Sequence, residues 1–128
     1  MLKRIDPATA YKRVDFEAYV AGSDAKGLVR VCFEDIGAAL ERALWADGQA
    51  RTDIRHNALQ RAQMGLLTLL SGLDMAQPVS KSLEVFYRSM VSRVTNAMRY
   101  FDPTAIAMTR DDLADIRRSL FPADKRAA

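Results

Sequence analysis

Apolar positions recur every three or four residues along almost the whole of this chain, and no stretch alternates with a period of two. The pattern predicts helices and no strands. Its richest stretch runs from Arg61 to Asp74. At about 100° per residue, Ile54, Ala58, Ala62, Leu69 and Leu73 fall in one narrow sector. Leu59, Leu66 and Leu70 lie beside that sector, and Leu67 lies further round. A helix apolar on two adjacent faces is either central in a bundle or open to a helix from elsewhere. That choice is most of the functional question.

Turn signals divide the pattern into elements. Residues 1–6 and 122–128 are expected to be flexible tails, with Pro7 suited to the first turn of a short N-terminal helix over 8–20. Gly22-Ser23 ends that helix, and Asp24 suits the N-cap of the next. A helix over 25–47 is expected to bury Leu28, Val31, Cys32, Ile36, Ala39, Leu40 and Ala43, and to break at Asp47-Gly48. The next spans 51–73, with Gln77-Pro78 marking its end. One starting near Ser80 carries Val79, Leu83, Phe86, Met90, Val94, Ala97 and Phe101 at near-heptad spacing until Asp102-Pro103. The last, from Thr104 or Thr109 to about Phe121, presents Ile106, Leu113, Ile116 and Leu120. Short turns make successive helices antiparallel neighbours. The expected fold is therefore all-α: one domain over residues 1–128, an antiparallel up-and-down four-helix bundle with an additional short N-terminal helix.

Composition narrows the function by exclusion. The chain of 128 residues carries a formal charge of +3, and its 19 lysines and arginines are spread out rather than clustered. Neither a nucleic-acid arm nor a polybasic membrane anchor is expected. The segment 110–118 is too acidic for a DNA recognition helix, since Asp111, Asp112 and Asp115 would repel phosphates. No apolar run reaches membrane-spanning length, and Met1-Leu-Lys-Arg-Ile-Asp-Pro turns polar before a signal-peptide core forms, so a cytoplasmic protein is expected. The lone Cys32 excludes an internal disulfide and reads as a small buried hydrophobe. The lone His56 cannot supply the paired Glu-x-x-His units of a di-iron bundle, and no nucleophile–base set forms around it. Gly65 and Gly72, seven apart on one helix, suit close packing rather than a phosphate loop. No enzyme, metal or cofactor is expected.

Apolar recognition remains. Leu59, Leu66, Leu67 and Leu70 on the 51–73 helix, with Tyr87, Val91 and Met98 on the helix from Ser80, would line a groove able to take an amphipathic partner helix. Tyr11, Phe16 and Tyr19 give the N-terminal segment an apolar side, so it is expected to cover the groove until a partner displaces it. A second copy of the chain can satisfy the same surface, which leaves a homodimer open.

The chain carries in order Ala10-Tyr-Lys-Arg, Asp24-Ala25 with Leu28, and Val31-Cys-Phe-Glu-Asp35. Arg61-Ala-Gln63, Leu73-Asp74, Phe86-Tyr-Arg-Ser-Met90 and Arg93-Val94 follow. This order resembles the flagellin export chaperones, the FliS family, over nearly the whole chain, from about Tyr11 to Phe121. Departures from the family pattern are Ala25 for the usual Pro, Asp35 for Gly, Ser89 for a frequent Tyr, and Ala97-Met98 for Ala-Asn. The resemblance implies an antiparallel helical bundle that binds the disordered C-terminal segment of flagellin along apolar grooves. It also implies that the loaded complex is recognised by the gate protein of the export apparatus. The competing expectation is a regulatory adaptor that binds a flagellar regulator, such as an anti-sigma factor, through the same groove.

Overall fold

The computed structural model describes residues 24–122, and these form four helices with no strand among them. They are α1 (Asp24–Gly48), α2 (Thr52–Ser71), α3 (Ser80–Arg99) and α4 (Pro103–Leu120). The expected N-terminal helix, with Tyr11, Phe16 and Tyr19, lies outside the described residues, as does the tail from residue 123.

Ion pairs fix the direction of α1 against α2 and α4. Arg55 meets Asp47 at 2.8 Å and Arg61 meets Asp35 at 2.8 Å, so numbers rise along α2 as they fall along α1. The same descending order ties Arg110 to Glu41 and Arg117 to Glu34 between α4 and α1. Gln63 bonds Thr95 between α2 and α3, and Arg93 reaches Asp112 between α3 and α4. Each helix packs on two others, α1 and α3 on both α2 and α4. These pairs are partly exposed, so they set register more than they add stability.

The ends explain why the helices stop where they do. α1 runs through Gly48 and closes with the amide of Arg51 donating to the Ala46 carbonyl and that of Ala50 to Asp47. This is a Schellman closure, whose C′ residue must be left-handed. Here that residue is Ala50, at φ 57°, and not the glycine two places earlier. At α4 the Asp102 carboxylate accepts from the amides of Thr104 and Ala105, with Pro103 as first helical residue. The Asp-Pro pair therefore starts the helix expected to begin at Thr104 or Thr109, as well as ending the one before.

One core spans all four helices. On α3 it follows a strict three–four alternation: Ser80, Leu83, Tyr87, Met90, Val94 and Ala97 are buried and Phe101 packs against them. This corrects the expected seam at two places. Phe86 is 51% exposed whereas Tyr87 is 2%, and Val79 is exposed whereas Ser80 is buried. Ser80 tolerates burial because its hydroxyl donates to the Asp74 carbonyl at 2.7 Å. On α1 the core is Phe33, Ile36, Ala39, Leu40, Ala43 and Ala46; Leu28 and Val31, expected inside, are exposed, and Cys32 is half-buried. On α4 the seam is Ile106, Thr109 and Leu113, with Ile116 and Leu120 packed against the core. The Thr109 hydroxyl donates to the Ala105 carbonyl and accepts from Arg93.

Two local features hold the helices close. A Cβ on Gly65 would lie 2.5 Å from Cγ1 of Ile36, so α1 approaches α2 through the space a side chain would fill. Phe33 stands at the centre of an aromatic group, its ring 6.4 Å from Tyr87 and 6.4 Å from Phe121, with Arg30 over the outer face of Phe121. The group joins the first half of α1, the first half of α3 and the end of α4.

Candidate partner-binding surface

The wide apolar face of α2 is explained by its position between α1 and α3. Ala58, Leu59, Ala62, Leu66 and Leu69 are all buried, and Leu73 is half-buried. Leu59 and Leu66, expected to face a partner, are therefore core residues, as is Tyr87 on α3. The two apolar faces read from the sequence are one broad face that meets two helices of the same chain. What remains at the α2–α3 seam is narrower. Leu67 is 36% exposed, and Leu70, Val91 and Met98 are half-buried against the core. Gln63 and Thr95 bridge the seam at 2.9 Å, with Leu67 and Leu70 following along α2 and Val91 and Met98 on either side along α3.

Further exposed apolar surface includes four residues that periodicity had placed in the core: Leu28, Val31, Val79 and Phe86. Leu28 and Val31 on α1, Met75 and Val79 in and beside the α2–α3 turn, and Val85 and Phe86 on α3 are all exposed. They belong to the same half of the bundle as the Phe33 aromatic group, since Glu34 pairs with Arg117 and Ser80 bonds Asp74 there. The interior of this half is packed with the rings of Phe33, Tyr87 and Phe121, while apolar side chains stand on its outside. Such an arrangement suits docking without rearrangement of the support. Apolar spacing alone did not separate Phe86 from Tyr87, since both can be joined to Leu83 and Met90 by steps of three and four.

Chemistry is sparse elsewhere. His56 is exposed, and among the described residues no group of three His, Cys, Asp or Glu side chains could share a metal ion. Burial and the nearby Asp35 carboxylate push the Cys32 thiol above its ordinary pKa, which disfavours the reactive thiolate. Burial likewise pushes the Tyr87 phenol well above its ordinary range. A groove of about 520 Å³ at the α3–α4 corner is lined by Arg93, Asn96, Tyr100 and Asp102. Among the described residues, no helix is long and apolar enough to cross a membrane.

No curated protein and no solved structure gives a significant match to this chain. A family model described as flagellar protein FliS matches residues 7–121, which takes in all four helices and the apolar surface described above. The chain is a member of the FliS family.

Proposed function

We propose that this protein is a cytoplasmic flagellar export chaperone. It holds the disordered C-terminal segment of flagellin, prevents its premature polymerisation, and is recognised in the loaded state by the export gate protein. In this reading the N-terminal segment completes the antiparallel bundle as an additional short helix, and its Tyr11, Phe16 and Tyr19 lie over the client surface until the client displaces them. The observation that carries the reading is the apolar α2–α3 seam of a family member, with Leu67 exposed and Leu70, Val91 and Met98 half-buried behind it; Phe86 and Val85 add exposed apolar surface elsewhere on α3. Leu70, Val91 and Met98 are packed on the core on one side and half-open on the other, so a client helix completes their burial without moving the core. The apolar burial opposes the ordering entropy of a client that is disordered when free.

The test is size-exclusion chromatography of the chain with full-length flagellin and with flagellin lacking its C-terminal segment. A shift with the full-length protein alone is expected; a shift with neither, or with both, overturns the reading. Calorimetry against the C-terminal segment then locates the surface. Leu67→Glu and Phe86→Ser are expected to melt like the wild type and to weaken binding by roughly 1–2 kcal/mol each. Leu66→Ala is expected to lose about 2–5 kcal/mol of folding stability instead. Normal binding by both surface variants would refute the assigned surface even if flagellin is the client.

A further inference from the structure

A second surface, on the outer side of the α1–α2 pair, has different chemistry. A groove of about 510 Å³ runs there, lined by Arg42 from α1 and by Ile54, Asn57, Ala58, Gln60, Arg61 and Met64 from α2. Met64 is exposed, and Trp45, one turn along α1 from Arg42, is 52% exposed. The Arg42 guanidinium carbon lies 5.9 Å from the centre of the Trp45 ring.

The charges around this groove are unevenly satisfied. Arg61 holds Asp35 through three hydrogen bonds, and Arg55 holds Asp47 at 2.8 Å. Glu41 and Asp53, next in sequence to Arg42 and Ile54, are held by Arg110 and Arg51, so each of these four carboxylates is engaged. Arg42 meets no carboxylate among the described residues and has only the tryptophan face. A carboxylate entering the groove would find an unpaired guanidinium, and the acidic groups that could repel it are already neutralised. Tryptophan and arginine are also the side chains in which binding energy concentrates at protein interfaces. From Ile54 to Met64 the α2 wall is about 15 Å long, roughly three helical turns.

We propose that this groove docks a short acidic amphipathic helix of a second protein. Its apolar face lies on Ile54 and Met64, and one carboxylate pairs with Arg42 beside Trp45. The groove opens toward α1, whereas the proposed client surface lies on the α3 side of α2; the two adjoin where Met64 stands one turn from Leu67. Seated on either side of that line, a client and a second protein can be held at once. This inference does not depend on the identity of the client.

Trp45 is the sole tryptophan of the chain and stands beside Arg42, so its emission reports on the surroundings of that guanidinium. The full chain is titrated with a synthetic helical peptide of leucines at three–four spacing separated by glutamates, and with its lysine-for-glutamate counterpart. The acidic peptide is expected to shift Trp45 emission to shorter wavelength and to protect it from acrylamide, saturably, and the lysine peptide to do neither. Arg42→Glu is expected to weaken the acidic peptide about ten-fold or more, the loss of one charge-assisted bond. Met64→Glu is expected to weaken it as well, with unchanged circular dichroism in both. A chain saturated with the flagellin C-terminal segment should give the same titration. Equal binding of both peptides, no change in Trp45 emission, wild-type affinity in Arg42→Glu, or displacement by the flagellin segment would each overturn the proposal.

Discussion

Gly65 offers the most direct check on the packing. Glycine in a helix interior is ordinarily a defect, and replacing it with alanine gains about 0.8–1.0 kcal/mol in helix propensity. The chain provides its own reference: a Cβ on Gly37, in the middle of α1, would meet nothing within 4 Å, so Gly37→Ala should realise that gain. On Gly65 the new methyl would stand 2.5 Å from Cγ1 and 3.1 Å from Cδ1 of Ile36. Ile36 is 1% exposed, and Cγ1 is one bond from Cβ, so it cannot swing aside as the tip of a long side chain would. Overpacking of this kind costs about 1–3 kcal/mol. The two terms oppose, and Gly65→Ala should fall between neutral and about 2 kcal/mol destabilising. The gap between the two glycine variants should then be about 1–3 kcal/mol, because the propensity term is common to both. Urea unfolding followed by far-ultraviolet circular dichroism measures both, and equal slopes would show that the unfolded state is unchanged. Ile36→Ala, which alone should cost about 2–5 kcal/mol, should cost less beside Gly65→Ala, because the new methyl fills part of the vacated space. If Gly65→Ala stabilises as much as Gly37→Ala, the close approach of α1 to α2 is wrong.

Two further outcomes follow from backbone and burial. Ala50→Gly should raise the melting temperature, gaining about 0.5–1 kcal/mol, because the left-handed strain at φ 57° exceeds the extra chain entropy of glycine; a lower melting temperature would refute the closure assigned to α1. Tyr87 and Cys32 both have raised pKa values in the folded chain, so it retains protons that the unfolded chain releases near pH 10 and pH 8.5 respectively. Their contribution is fully present below those values and is lost as pH rises through and beyond them. Tyr87→Phe should therefore unfold like the wild type at neutral pH and lose less stability above about pH 10, as denaturant titrations at the two pH values would show; identical alkaline losses would place Tyr87 outside the core.

The local sequence determined most of the helical structure. Three–four periodicity placed α1 to α4 to within a few residues, because an amphipathic helix must repeat its apolar face every turn. The aspartate before Pro103 marked a helix start for a similarly local reason, as its carboxylate satisfies amides two and three residues away. The resemblance to the FliS family was likewise legible, being carried by the order of short segments. What each apolar residue faces was decided by the tertiary structure. Phe86 and Tyr87 are both large and adjacent, and only the burial of Ser80 and Leu83 in register with Met90 sends Tyr87 inward to meet Phe33. Leu59 and Leu66 looked like surplus because one helix had been counted against one neighbour, whereas α2 has two. Val31 and Leu28 looked like core because periodicity cannot tell an outward apolar stripe from an inward one. Periodicity is a property of one helix, but burial is a property of where its neighbours stand. The surface left for a partner is the difference between the two, so it had to wait for the fold.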